Sequence, residues 1–141
     1  MNLLVHRGEG DYCVRPDTTL EREATDFYVP DGCLEVEVHK CIWSRIIKAG
    51  KAVGPKFVGR YIESFAEGYL LYCNGSPWVD GSSILMRNVR PLDEKASASL
   101  AEALVGISKR TSIRIGDILI VEEPQGVTLR KGDSFECISL R

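Results

Sequence analysis

Apolar and charged residues alternate most regularly in CLEVEVHKCIW, residues 33–43. A side-chain period of two is the mark of a half-buried β-strand. The pattern predicts a strand over 33–48, or a hairpin bending near Trp43-Ser44. DYCVR at 11–15 reads as a short strand ended by Pro16, and residues 17–32 as a polar, turn-rich stretch closing on Asp31-Gly32. YLLYCN at 69–74 is a continuous apolar run, the pattern of a buried strand. ILMRNVRPL gives a weaker strand. SIRIGDILIVEEP alternates again, with a bend at Gly116-Asp117, and KGDSFECISL reads as a last strand after a turn at Lys131-Gly132-Asp133. Two segments carry helical spacing instead. Pro55 can open a helix through Val58, Ile62, Phe65 and Tyr69, with Gly68 as its stop. Ser99 and Glu102 form a capping-box pattern before the stripe Leu100, Ala103, Leu104 and Ile107. About seven strands with about two helices predict a β-rich α+β domain. Helices this few cannot alternate with the strands, which argues against a doubly wound sheet.

Composition narrows the picture further. The 141 residues suit a single domain spanning 1–141, 44% hydrophobic and 27% charged, with no low-complexity tract. A net charge of −2 with scattered basic residues gives no reason to expect nucleic acid or an anionic membrane as partner. No apolar run approaches the roughly 20 residues of a membrane span, and MNLLVHRGEGDY is charged too early for a signal peptide. Five cysteines without a CxxC pair point to reduced thiols and a cytoplasmic setting.

Candidate chemistry centres on the alternating strand. Glu35 and Glu37 share one face, roughly 7 Å apart, and can both reach one hard cation such as Mg²⁺ or Mn²⁺. His39 follows on that face. The same pattern also describes an ordinary solvated strand face, and both readings stand at this point. Asn74 sits where the apolar run emerges and can face a site or form a turn with Gly75. VEEPQGV at 121–127 can present backbone donors or be a plain loop. Trp43 and Trp78 suit core packing or a pocket mouth. The chain holds no GxSxG, no GxxxxGK and no GxGxxG.

The order of these pieces carries a resemblance. YCVRPDTT, YVP, LEVEV, GYLLYCN, GSPW, SIRIGDILIVEEPQGV and LRKGDSFEC together resemble the fumarylacetoacetate hydrolase family from about residue 11 to the end. The most specific match is IRIGDILIVEEPQGV followed by LRKGD. The resemblance implies a mixed β-sandwich roll, usually a homodimer, with a Mg²⁺ or Mn²⁺ site that chelates a 2-oxo or enol carboxylate. It implies hydrolysis, decarboxylation or tautomerisation of such acids. By carry-over Glu35 and Glu37 fall at the two glutamate ligands, and Asn74 falls at the aspartate ligand. Arg15 matches the substrate-binding lysine of the F-x-K-P segment, and Glu123 the substrate-contacting threonine of the T-G-T-P segment.

The departures from the family pattern are specific. Asn74 has no charge, GSPWVDGSSIL lacks the expected lysine, and only ten residues stand where the lid should be. Glu123 places a negative charge where a substrate carboxylate would sit. The sequence therefore supports a shortened, divergent member lacking the family reaction while keeping a cation or small-molecule site. The alternative is an active metal-dependent enzyme in which His39 replaces the lost charge or acts as a base. A third reading is a coincidence of β-patterns.

Overall fold

The computed structural model describes residues 1–21, 26–130 and 137–139. Its strands are β1 (Asn2–Gly8), β2 (Asp11–Pro16), β3 (Leu20–Glu21), β4 (Asp26–Tyr28), β5 (Glu35–Arg45) and β6 (Ser64–Cys73). They continue with β7 (Ser83–Leu85), β8 (Arg90–Pro91), β9 (Ile118–Glu122), β10 (Val127–Arg130) and β11 (Cys137–Ser139). One α-helix, α1 (Glu94–Ser108), and a 3₁₀ helix over Pro55–Arg60 complete the main elements. Among the described residues nine strands form one mixed sheet with the path β2-β1-β9-β5-β6-β7-β3. Strand β10 pairs with β5, β8 pairs with β6, and β11 pairs separately with β4.

Alternation gives this curled sheet two faces. The inner face carries Leu3, Val5, Cys41, Trp43, Leu70, Leu85, Ile118 and Ile120 in one apolar cluster. The outer face is covered on one half by α1, whose Ala96, Leu100, Ala103, Leu104 and Ile107 pack against Leu4, Ile46 and Leu119. Burying each Leu or Ile there contributes about 1.5–3 kcal/mol. On the other half the segment around Phe27 and Cys33 covers Val36, Leu71 and Ile84.

Four sequence expectations are corrected. Strand β5 runs straight through Trp43-Ser44, where Ser44 Oγ donates to the Ser64 carbonyl on the neighbouring strand at 2.6 Å. The helix expected from Pro55 is a single 3₁₀ stretch, and Ser64 already starts β6. Gly68 is not a helix stop but a close-approach glycine inside β6: a Cβ there would lie 2.7 Å from the Ile84 carbonyl. Helix α1 begins earlier than Ser99, because Asp93 is its N-cap and accepts from the Ala96 amide at 2.7 Å. Asp outcompetes a serine already inside the apolar stripe. Strand β1, which the pattern reading left unassigned, lies mid-sheet with Leu3, Leu4 and Val5 at most 1% exposed. The turn expected at Lys131-Gly132-Asp133 lies outside the described residues. Cys13, Cys33, Cys41 and Cys73 are free thiols. No helix among the described residues is long and apolar enough to cross a membrane.

Candidate functional site at one end of the roll

The inner face turns from apolar to polar at one end. Register places Tyr72 of β6 directly opposite Glu37 of β5, and Glu122 of β9 opposite Cys41. The Tyr72 hydroxyl donates to the buried Glu122 carboxylate. Arg7 Nε lies 3.6 Å from the same carboxylate, and its guanidinium stands 5.1 Å from the Tyr72 ring centre. Burial, and then the bond to Glu122, push the Tyr72 phenol well above the ordinary tyrosine range. Burial, and then the Glu122 charge, likewise push the Cys41 thiol up, so it is no thiolate nucleophile at neutral pH.

Arg15 has no exposed surface. Its Nη1 donates to Ser82 Oγ at 3.0 Å, Ser83 Oγ at 3.2 Å and the Ser82 carbonyl at 3.3 Å. Its Nη2 donates to the Leu71 carbonyl at 3.0 Å, and its plane stands 4.6 Å from the Tyr72 ring centre. Only Nε lacks a partner. A guanidinium cannot shed its charge, so neutral oxygens and the π-face of Tyr72 compensate its burial. The residue matched to a substrate-binding lysine is thus fully engaged inside the protein.

His39 is held from both sides. Its Nδ1 lies 2.7 Å from the Glu123 carbonyl and its Nε2 2.5 Å from Glu37 Oε1. A carbonyl only accepts, so Nδ1 donates to Glu123, and Nε2 faces the Glu37 carboxylate. Gly126 lets the loop after β9 close over this ring, since a Cβ there would lie 2.8 Å from Nε2. Glu123 contributes its backbone carbonyl, and its side chain is exposed.

The three residues matched to cation ligands are arranged differently from one another. Glu35 is half-exposed, 3.8 Å from Arg130 Nε, and Glu37 is bonded to His39. Asn74, exposed in the turn after β6, reaches across to the segment that leads into β5. Its Oδ1 accepts from the Leu34 and Glu35 amides at 3.0 and 3.1 Å, and its Nδ2 donates to the Gly32 carbonyl at 3.0 Å. A left-handed φ of 50° places it there, a conformation asparagine tolerates well. Among the described residues no three His, Cys, Asp or Glu side chains gather around one point. This donor set does not fit a cation centre built on three convergent ligands.

Tyr72, Glu122 and Arg7 were missed by sequence reasoning. The available signal was the alternation itself: ILIVE puts Glu122 on the face of Ile118 and Ile120, and YLLYC puts Tyr72 on the face of Leu70. Trp43 lies in the apolar floor, its Nε1 donating to the Met86 carbonyl at 3.1 Å, whereas Trp78 is 61% exposed.

No family model matches the chain, and no curated protein matches it in sequence. Solved structures do share the fold. One is 5-carboxymethyl-2-hydroxymuconate delta-isomerase from Mycobacterium smegmatis, with a TM-score of 0.74 at 9% identity. The match covers 84% of this chain and 60% of that one. Maleylpyruvate hydrolase from Sphingobium sp. SYK-6 has a TM-score of 0.76 at 12% identity, covering 92% and 61% of the two chains. A protein assigned to the fumarylacetoacetate hydrolase family from Yersinia pestis CO92 has a TM-score of 0.62 at 14% identity, covering 84% of each chain. This chain therefore spans about three fifths of the length of the first two. The sequence expectation of a fumarylacetoacetate hydrolase-type roll is met at the level of fold.

Proposed function

We propose that this chain is a divergent protein of the fumarylacetoacetate hydrolase fold that binds a small anionic molecule at the polar end of its roll. In this reading it does not carry out cation-dependent cleavage of 2-oxo acids. One observation carries the proposal: the Asn74 carboxamide is spent on three backbone groups of the segment that leads into β5. Removing it from them would leave those groups without their partner, and the residue brings no charge in return. Arg7, at the rim beside Tyr72 and Glu122, is the cation that an anionic ligand would meet.

Thermal unfolding with Mg²⁺ or Mn²⁺, with and without oxalate, tests this on the wild type and on Glu35→Ala. A ligand that binds only the native state raises the midpoint in proportion to ln(1 + [L]/Kd). The expected outcome is no cation-dependent rise and no cation-dependent decay of oxaloacetate. A rise enlarged by oxalate and abolished by Glu35→Ala would overturn the proposal.

The pair His39–Glu37 favours a second reading, a Mg²⁺- or Mn²⁺-dependent hydrolase, decarboxylase or isomerase of 2-oxo or diketo acids. The solved neighbours named as an isomerase and a hydrolase are consistent with it. An imidazole held against a carboxylate at a site's edge can serve as general acid or base towards a carbanion or enolate. Under this reading Glu35→Gln and Glu37→Gln each abolish turnover while the fold persists.

A further inference from the structure

Basic residues that are scattered along the sequence are gathered by the fold at one end of the sheet. Strand β5 runs from Glu35 to Arg45, and Ile118, the first residue of β9, pairs with Arg45. Beyond that point the chain leaving β5 and the chain entering β9 are tied together. The Ile46 amide bonds to the Asp117 carbonyl at 2.8 Å, and Gly50 and Ile113 bond to each other at 3.0 and 2.9 Å. The Ala52 amide bonds to the Ser108 carbonyl at 2.7 Å. Residues 45–60 and 109–116 therefore lie side by side. They hold eight of the chain's 18 Lys and Arg and none of its 20 Asp and Glu. Lys48, Lys51, Lys56, Arg60, Lys109 and Arg114 are all exposed. Among the described residues none of these six pairs with a carboxylate. Asp117, which follows the second segment, is buried, and its carboxylate accepts from the Asn2 and Arg114 amides.

Apolar side chains stand among these cations. Ile47, Phe57 and Ile115 are 40%, 45% and 72% exposed. Ile115 sits at the tip of a turn that the Asp117 amide closes on the Arg114 carbonyl at 3.1 Å, with Gly116 at a φ of 93°. A phosphate backbone of nucleic acid gives aliphatic side chains nothing to bury against. A second copy of the chain seated face to face here would set cations against cations. An anionic bilayer meets both features, with charged headgroups for the cations and the acyl boundary for Ile47, Phe57 and Ile115. We infer that this end of the roll docks on an anionic phospholipid surface. The other residues carry most of the basic-poor, acidic balance of the chain, so the molecule's own field turns its opposite end away from that surface.

Co-sedimentation of the full chain with lipid vesicles tests this, using phosphatidylcholine alone and phosphatidylcholine mixed with phosphatidylserine. The chain should sediment with the phosphatidylserine mixture at about 0.1 M salt, be released at about 0.5 M, and ignore phosphatidylcholine alone. Lys51→Glu, at an exposed position, should weaken the binding at least about fivefold. Ile115→Ser, which removes apolar contact and no charge, should weaken it about fivefold as well. Lys95→Glu, an exposed position in the first turn of α1, changes the net charge by the same amount and should leave binding unchanged. No sedimentation at about 0.1 M salt overturns the inference. So does equal binding to phosphatidylcholine alone, equal weakening by Lys95→Glu, or unchanged binding in either Lys51→Glu or Ile115→Ser. Retention by a duplex oligonucleotide but not by the vesicles assigns the surface to nucleic acid and overturns it too.

Discussion

A methyl group added at Gly126 would lie within 3.0 Å of three atoms of the His39 ring. That ring cannot retreat, because Glu123 and Glu37 hold its two nitrogens. Gly126→Ala should therefore cost about 1–3 kcal/mol and loosen the His39–Glu37 contact. Urea unfolding measures the first effect and imidazole NMR shifts the second. Tyr72 gives a test in pH. Its folded state favours the neutral phenol more than the unfolded chain does. The stability this supplies is whole below the ordinary tyrosine value of 10.0 and is lost as pH rises from there toward the raised folded value. Tyr72→Phe should lower stability near neutrality by about 1–3 kcal/mol, since buried Glu122 loses its donor. The same substitution should flatten the decline above pH 10. Urea unfolding across that range reads both effects. The candidate site was partly legible at this scale. Glu37 and His39 are visible from one strand's alternation, but the partners Tyr72, Glu122 and Arg7 arrive from three other strands, and pairing register is not written in any single segment.

Helix α1 shows how an element depends on what it rests against. Replacing a mid-helix glycine by alanine normally gains about 1 kcal/mol. At Gly106 the added Cβ would overlap the Tyr12 hydroxyl. Tyr12 is itself stacked on buried His6 at 4.9 Å and covered by Arg110 at 4.5 Å. Gly106→Ala should thus destabilise by about 1–3 kcal/mol, and Tyr12→Phe in that background should return part of the loss. A double-mutant cycle by urea unfolding measures the coupling. The helix stripe Leu100, Ala103, Leu104, Ile107 was readable because it faces one uniform apolar surface. The false helix from Pro55 arose from the opposite situation. Val58, Ile62 and Phe65 belong to one cluster, but they reach it from a 3₁₀ turn, a connecting segment and a strand. Helical spacing there records a shared destination, not a shared helix.

At the scale of the whole molecule, one side chain joins the two ends of the sheet. Strand β2 lies at one edge, and β7 lies near the other. Arg15 of β2 bonds to Ser82 and Ser83, and on to the Leu71 carbonyl of β6. Thr19 meets Ser83 at 3.0 Å just before β3 pairs with β7. Arg15→Ala would leave this closure without its donors and cost about 3 kcal/mol or more. Arg15→Lys should restore little, since one ammonium cannot span both strands. Urea unfolding of the two variants compares them directly.

The strand order also sets a timetable for assembly. Strand β9 is inserted between β1 and β5, and the Asn2 amide bonds to the Asp117 side chain 115 residues later. The β1–β2 and β5–β6 hairpins close over short separations, but β1 has no second neighbour until Ile118–Glu122 has been synthesised. During synthesis the Leu3-Leu4-Val5 edge has no partner on that side until Ile118–Glu122 follows, a state prone to mispairing. Long-range parallel pairing of this kind folds slowly. Pulse-labelled hydrogen exchange should find β1 and β9 amides gaining protection together, after the β5–β6 hairpin.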